Sequence, residues 1–229
     1  MRYIKNIGLD AFTLKIIAIV AMVIDHIGFI FLPEVIVLRV IGRLTFPIMG
    51  FFMVEGFRHT KNVRAYAGRL LLYGCITIIP YYFAFGWYFN VMFSLLCALI
   101  VLIITDKEAS AVKRFVTVLA VSIATALFDW GMGGIWFIYI LSRTKNRLAG
   151  LCCAICALIG CETAKTYIMY MILQYPFDIS HMTFQLGIFM SVPLLMLYNG
   201  KRGIASKSLF YWFYPAHLAV MVIVKLLLR

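Results

Sequence analysis

GRLTFPIMGFFMVEGFRHT, running from Gly42 to Thr60, places ionisable groups inside a chain that otherwise spends few of them. Between Val40 and Phe57 the residues are mostly Leu, Ile, Met, Val and Phe. At ~1.5 Å per residue such a run fills most of a hydrocarbon core of about 30 Å, so it reads as a membrane helix. Arg43 and Glu55 interrupt it. An ionisable side chain at bilayer depth costs about 2.5 to 3.5 kcal/mol on insertion scales, so each is expected to face the bundle interior, a wet cavity or a partner. Either they line a functional cavity, which is the default reading of intramembrane charge, or they only join neighbouring helices.

Composition sets the class around this stretch. Of 229 residues, 64% are hydrophobic and 13% charged, against about 25% charged in soluble domains. The mean hydropathy is +0.99. An integral membrane protein follows, and with no Gly/Ser-rich or Pro-rich linker, low-complexity tract or internal repeat, residues 1–229 read as one domain. The net charge of +12 would suit nucleic acid or anionic lipid in a soluble protein. Here the basic residues alternate by loop. Arg2, Lys5 and Lys15 precede or open the first apolar run, and later groups fall at 58–69, 107–114, 143–147 and 201–207. The connections around Pro33, Phe85, Asp129 and Tyr175 hold almost none. By the positive-inside rule the amino terminus is cytoplasmic, and no nucleic-acid partner is expected.

The chain is thus expected to be an all-α, polytopic bundle of about nine spans, some short or broken. They are placed at 13–31, 40–57, 67–85, 89–104, 115–128, 131–141, 148–173, 183–198 and 209–228. The fifth and sixth fall short of the ~20 residues of a straight span and meet at Asp129-Trp130-Gly131, as a broken or re-entrant pair would. In the long seventh, Glu162 and Lys165 at a spacing of three share one helical face. The first run is too long for a cleaved signal peptide and carries Asp25-His26, so it is expected to stay.

Metal and soluble-enzyme signatures are absent. Cys153 and Cys156 form a C-x-x-C beside Cys152, but no second pair stands at zinc-finger spacing, and in an apolar helix the three read as packing residues. No G-x-S-x-G, P-loop, H-E-x-x-H or dinucleotide fingerprint occurs. Neither a metal nor a dinucleotide is therefore expected.

Topology sorts the remaining polar residues by depth. Asp25 and His26 lie in the outer half of the first span and Arg43 lies at matching depth in the second, which brings Asp25 within reach of Arg43. Adjacent helical residues point ~100° apart, so one of Asp25 and His26 faces a cavity while the other braces it. Asn90 and Asp129 fall at outer mouths as acceptor-side or supporting residues. His217 is near mid-membrane in the last span, two residues after Pro215, which kinks the helix or frees a carbonyl. At the inner junction Glu55, Arg58, His59, Lys61, Arg64 and Arg69 crowd together, either as a polyanion site or as a topology signal. The aromatic stretch from Tyr81 to Phe89 reads as an interfacial belt.

Several of these residues also carry a resemblance. GLDAFTLK from Gly8, MVIDHIG from Met22, GRLTFPIMGFFMVEGFRHTKNVRAYAGRLL from Gly42 and NVMFSLL from Asn90 resemble the TraX family. The resemblance is strong over 8–96 and looser at 128–139 and 213–218. Ile79 before Pro80 and Thr45 in the G-R-x-x-F-P motif depart from the family pattern. The family includes a conjugative-pilin acetylase and is similar to multi-span acyltransferases that use acyl-CoA. The resemblance implies a bacterial cytoplasmic-membrane acyltransferase with acetyl-CoA or another acyl-CoA as donor. Its acceptor would be a protein amino terminus, a glycan or a small molecule. On this reading Arg58, Arg64 and Arg69 hold the donor phosphates with Glu55 and His59 beside them, His26 is the general base, Asp25 or His217 assists it, and Arg43 stabilises the oxyanion. Two rivals stand beside it. One is a transporter or lipid-handling protein using Asp25, His26, Arg43 and Glu55 as a relay, and the other is a passive assembly subunit.

Overall fold

The computed structural model describes residues 8–86, 89–174, 183–205 and 207–228, so the expectations for Arg2, Lys5 and Tyr175 lie outside the described residues. Five helices begin where the sequence offers a capping oxygen. Asp10 accepts from the Thr13 amide at 2.8 Å to start α1, Ala11–Ile30. Asn62, Asn90, Ser110 and Asn146 do the same for α4 (Val63–Phe85), α5 (Val91–Asp106), α6 (Ala111–Ala124) and α8 (Arg147–Leu173). Each side-chain oxygen satisfies one amide that the first turn leaves without a partner.

The second span differs from the expected 40–57. It starts earlier and is interrupted, with α2 at Ile36–Gly42 and α3 at Thr45–His59. Around the break the Arg43 amide donates to the Arg39 and Val40 carbonyls and the Leu44 amide to Ile41, a tightened turn. Pro47 in the first turn of α3 has no amide to continue the ladder across the break. The fifth span is α6, followed by a turn over 125–130 and α7 at Gly131–Arg143. The predicted break at Asp129-Trp130-Gly131 is therefore present. The seventh is one unbroken α8, and the eighth is a 3-10 helix, η1 (Phe184–Met190), running into α9 (Ser191–Met196). The last is α10, Lys207–Leu227, which remains helical through Pro215.

Among the described residues no strand forms, and the chain is an all-α membrane bundle. Counting α2 and α3 together as Ile36–His59, five helical segments among the described residues are long and apolar enough to cross a bilayer, and the apolar helices over 91–106 and 184–196 are shorter. α7 lies at the centre, packed against α3, α5, α6 and α8, with Phe137 fully enclosed. α1 packs on α2 and α3, and α4 on α5 and α10. One end of the bundle gathers the loops rich in Lys and Arg. There Leu9 pairs with Tyr198, and the Ala11 amide donates to the Lys201 carbonyl at 2.9 Å, which fixes the start of α1 to the segment before α10.

Two expectations about outward-facing residues change. Tyr81 is only 7% exposed and faces inward, whereas Tyr82 and Phe83 face outward as belt residues do. Cys152, Cys153 and Cys156 are exposed on α8, so they are not bundle-packing residues.

Candidate active site within the membrane

Asp25 and His26 diverge because successive positions on α1 point about 100° apart. Asp25 faces α2. Its Oδ2 accepts from Arg39 Nη1 at 2.7 Å, and the same nitrogen reaches the Asp25 carbonyl at 3.2 Å. The hydrogen-bonded partner is therefore Arg39, while Arg43 acts on Asp25 through its charge without a hydrogen bond. The Asp25 and Arg39 side chains are both 16% exposed, so each offsets much of the other's burial cost. The approach depends on Gly42, where a Cβ would run into the Asp25 carboxylate. Gly28 likewise brings α1 against Leu38 and Arg39.

His26 faces α10. Its Nδ1 is 2.9 Å from Nε2 of His217, and the two rings are within 7° of parallel. Nδ1 of His217 lies 2.8 Å from the Phe213 carbonyl, which can only accept. His217 therefore carries its proton on Nδ1 and presents Nε2 as a lone pair. His26 must then donate from Nδ1, so neutral His26 keeps an unprotonated Nε2. A carbonyl sets His217, and His217 sets His26. Phe85 packs edge-on to His26 at 5.0 Å, and Phe213 stacks on His217 at 5.0 Å. The oriented imidazole is thus held in an aromatic surround.

Arg43 sits at the break between α2 and α3, where its guanidinium lies 4.4 Å from the Phe184 ring centroid and 5.0 Å from that of Trp130. Trp130 adopts φ 57 at the start of α7, a left-handed conformation that costs a non-glycine residue. The turn sets its indole parallel to Phe46 at 4.8 Å and under Arg43. Charges on Asp25, Asp129 and Glu162 attract Arg43, and Arg39 opposes them. Glu162 pairs with Lys165 at 2.7 Å, as their spacing predicts, and the Asp129 charge acts on the Tyr81 hydroxyl. Within this network Asp25 Oδ1, Arg43 Nε and Glu162 Oε1 are buried without a hydrogen-bond partner among the described residues. Buried polar atoms are normally satisfied, so these three are the groups of the network still open to a further polar partner.

Asn90 is fully buried, capping the Met92 amide and donating to the Gly74 carbonyl at 2.9 Å, which is a scaffold role. Asp129 joins the Arg43 network through its side chain, while its carbonyl accepts from Ser94 at 2.6 Å. Thr45, one of the departures from the family pattern, donates to the Ala18 carbonyl at 3.1 Å, and Ile79, the other, is 68% exposed.

The basic end holds a separate cavity of about 170 Å³, bounded by the last turn of α3 and the α7–α8 turn, with Glu55, Arg58, Lys145 and Arg147 on its wall. Arg58 bonds Glu55 at 3.1 Å and the Leu141 and Ser142 carbonyls at 3.2 and 3.1 Å. The expected cluster of Arg58, Arg64 and Arg69 does not converge on it. Arg64 is exposed on α4, and Arg69 lies between the Tyr66 and Tyr211 rings at 5.7 Å from each. His59 Nδ1 meets the Glu55 carbonyl at 2.8 Å. Among the described residues no group of three or more His, Cys, Asp or Glu side chains is placed to hold a metal.

Arg39, Tyr81, Trp130 and Phe184 were missed as site residues. A signal existed for Arg39, a cation four residues before Arg43 in a connection otherwise nearly free of Lys and Arg. Trp130 and Phe184 carry no such mark, since aromatics are common throughout the chain.

Comparison with known proteins matches the reach of these elements. No solved structure matches the chain. A relative named probable fimbrial assembly protein FimC, serogroup H1, from Dichelobacter nodosus is 33% identical over 253 aligned residues, covering 98% of this chain and 99% of the relative. An uncharacterized protein of Rickettsia prowazekii (strain Madrid E) is 38% identical over 63 residues, 28% of this chain. The family model described as TraX protein matches residues 11–225, which takes in α1 through most of α10 and so both histidines, both arginines and the α7–α8 turn. The chain belongs to the TraX family.

Proposed function

We propose that the protein is an acyl-CoA-dependent membrane acyltransferase, with acetyl-CoA the first donor to test. It would lie in the bacterial cytoplasmic membrane with its basic end and amino terminus in the cytoplasm, as the positive-inside rule assigns. The observation that carries this reading is the hydrogen-bonded chain from the Phe213 carbonyl through His217 to His26, which leaves Nε2 of His26 as an oriented base. A carbonyl and a second imidazole do here what an acidic residue does in other nucleophile-activating groups.

In the reaction, an amine or hydroxyl acceptor gives its proton to His26 Nε2 as its nitrogen or oxygen attacks the thioester carbonyl. The tetrahedral oxyanion collapses, the C–S bond breaks, and His26 returns the proton to the departing CoA thiolate. Arg43, with its vacant Nε and its guanidinium fixed by two rings, is suited to the oxyanion. The fimbrial-assembly name of the Dichelobacter relative makes a protein amino terminus one acceptor to test, beside glycans and small amines.

The deciding experiment follows CoA thiol release by purified protein in nanodiscs with acetyl-CoA and an acceptor panel. Wild-type turnover and its loss of 10²-fold or more in His26→Ala, at unchanged Tm, are expected. A wild-type protein that releases no CoA, or a His26→Ala variant as active as wild type, overturns the reading. The relay of a transporter would instead appear as His26-dependent proton flux without CoA chemistry.

A further inference from the structure

Lys145 and Arg147 read from the sequence as topology charges, yet they share a concave wall with Arg58 at the basic end. A topology signal needs only positive charge in the loop. It requires neither a cavity nor a fixed orientation, and both are present here. Arg58 is held by Glu55 and by two carbonyls from the last turn of α7. Arg147 donates to the Tyr198 carbonyl at 2.8 Å, and its guanidinium lies 5.5 Å from the Tyr198 ring centroid and 6.0 Å from that of Phe51. Neither guanidinium is spent on a carboxylate except through the single Arg58–Glu55 bond. Lys145 has no hydrogen bond or ion pair among the described residues and is exposed at the mouth. The wall therefore carries a net charge of +2 from two pinned guanidiniums, one exposed ammonium and the Glu55 carboxylate. The 27-residue α8 starts on the same wall, so its positive end adds to that field.

We propose that Arg58, Lys145 and Arg147 form a phosphate-binding site that anchors the nucleotide end of the acyl-CoA donor. This assignment rests on the acyl-transfer reading and replaces Arg64 and Arg69 as donor ligands. Guanidinium forks bind phosphate oxygens in pairs, and Lys supplies a point charge that follows a mobile group. Glu55 occupies part of the Arg58 fork and holds it in place. Twelve residues of chain separate Glu55 from Arg43, ~18 Å at helical rise, a separation the extended pantetheine arm of the donor must bridge to bring its thioester to Arg43.

A phosphate at this depth could belong to the donor or to an anionic lipid, and the test separates them. Binding of desulfo-CoA, which cannot react, is measured by calorimetry with protein in zwitterionic nanodiscs, then repeated with phosphatidylglycerol added. Lys145→Glu and Arg147→Gln are expected to raise the desulfo-CoA Kd about tenfold or more each, as loss of a charge-assisted bond does. Lys113→Gln, which removes a charge of the same end from outside the cavity wall, is expected to change it less than twofold. Lys145 has no structural bond to lose, so its variant stays informative if Arg147→Gln fails to fold. Unchanged desulfo-CoA binding in Lys145→Glu overturns the donor site. His26-dependent CoA release persisting in that variant with unchanged donor KM would leave the transfer reading standing without it. Phosphatidylglycerol displacing desulfo-CoA from wild type but not from Lys145→Glu supports the site as a phosphate pocket. Phosphatidylglycerol binding to the same residues with no desulfo-CoA binding overturns the donor assignment in favour of lipid.

Discussion

Nδ1 of His26 donates to Nε2 of His217 across 2.9 Å, although 191 residues separate them in the chain. His217→Ala removes the acceptor that fixes the His26 tautomer. A loss in kcat of about 10²-fold is expected, with donor KM little changed, because a mispositioned base affects the transition state more than donor binding. His217→Gln offers an amide oxygen to the same N–H and should recover part of the rate. Equal losses for Ala and Gln in a CoA-release assay would reduce His217 to a space-filling residue.

Arg43→Lys should behave as a non-conservative change. The guanidinium is flanked by Phe184 and Trp130, and an ammonium on a flexible stem cannot cover both rings and still present a planar donor edge. A fall in kcat of about 10²-fold, in the range of one lost oxyanion donor, is expected with near-wild-type Tm. A lower Tm at unchanged kcat would show that Arg43 acts through packing alone.

The Asp25–Arg39 pair should appear in stability. Removing either partner alone strands a buried charge at a cost of about 3 to 5 kcal/mol, while removing both costs less than the sum. Thermal unfolding of Asp25→Ala, Arg39→Ala and the double variant in one detergent measures the coupling. The same cycle between Asp25 and Arg43, which share no hydrogen bond, should give a smaller coupling. Equal values for the two cycles would remove Arg39 as the specific partner.

Gly42→Ala tests the geometry that creates that pair. Its added methyl group would meet the Asp25 carboxylate, so α1 and α2 must separate or Asp25 must turn away from Arg39. Tm should fall by several degrees and kcat with it, whereas Gly160→Ala, which meets nothing within 4 Å, should leave both unchanged. Wild-type behaviour of Gly42→Ala would mean that the close approach is dispensable.

Asp10 gives a pH signature at the membrane surface. Its bond from the Thr13 amide holds the carboxyl below the usual aspartate value of 3.8. A lowered folded value means that stability is present above the unfolded value and is lost as pH falls through the folded one. Asp10→Ala should cost about 1 kcal/mol at neutral pH, as N-cap removal does, and the gap from wild type should narrow below about pH 4. Tm measured from pH 3 to pH 7 checks this, and a gap that widens on acidification contradicts it.

The all-α membrane class and most helix positions were legible because they rest on local quantities. Hydrocarbon thickness sets the length of apolar runs, and charge placement sets which loops stay inside. Asp25, His26, Arg43 and His217 stood out because a polar group in an apolar run carries an insertion cost that must be offset somewhere.

The choice of partner was decided only by the folded bundle. Insertion cost says that Asp25 needs a cation, yet Arg39 and Arg43 sit four residues apart, and the break at Gly42–Leu44 turns the first toward Asp25 and the second toward Trp130 and Phe184. Likewise His26 meets His217 because α1 and α10 are rotated so that these two faces coincide, and the cavity cations come from α3 and the α7–α8 turn instead of from the adjacent Arg64 and Arg69. Helix rotation and close approach depend on contacts between residues far apart in the chain, such as Gly187 of η1 against the Val40 carbonyl. A one-dimensional pattern of polarity contains the need for such contacts but not their identity.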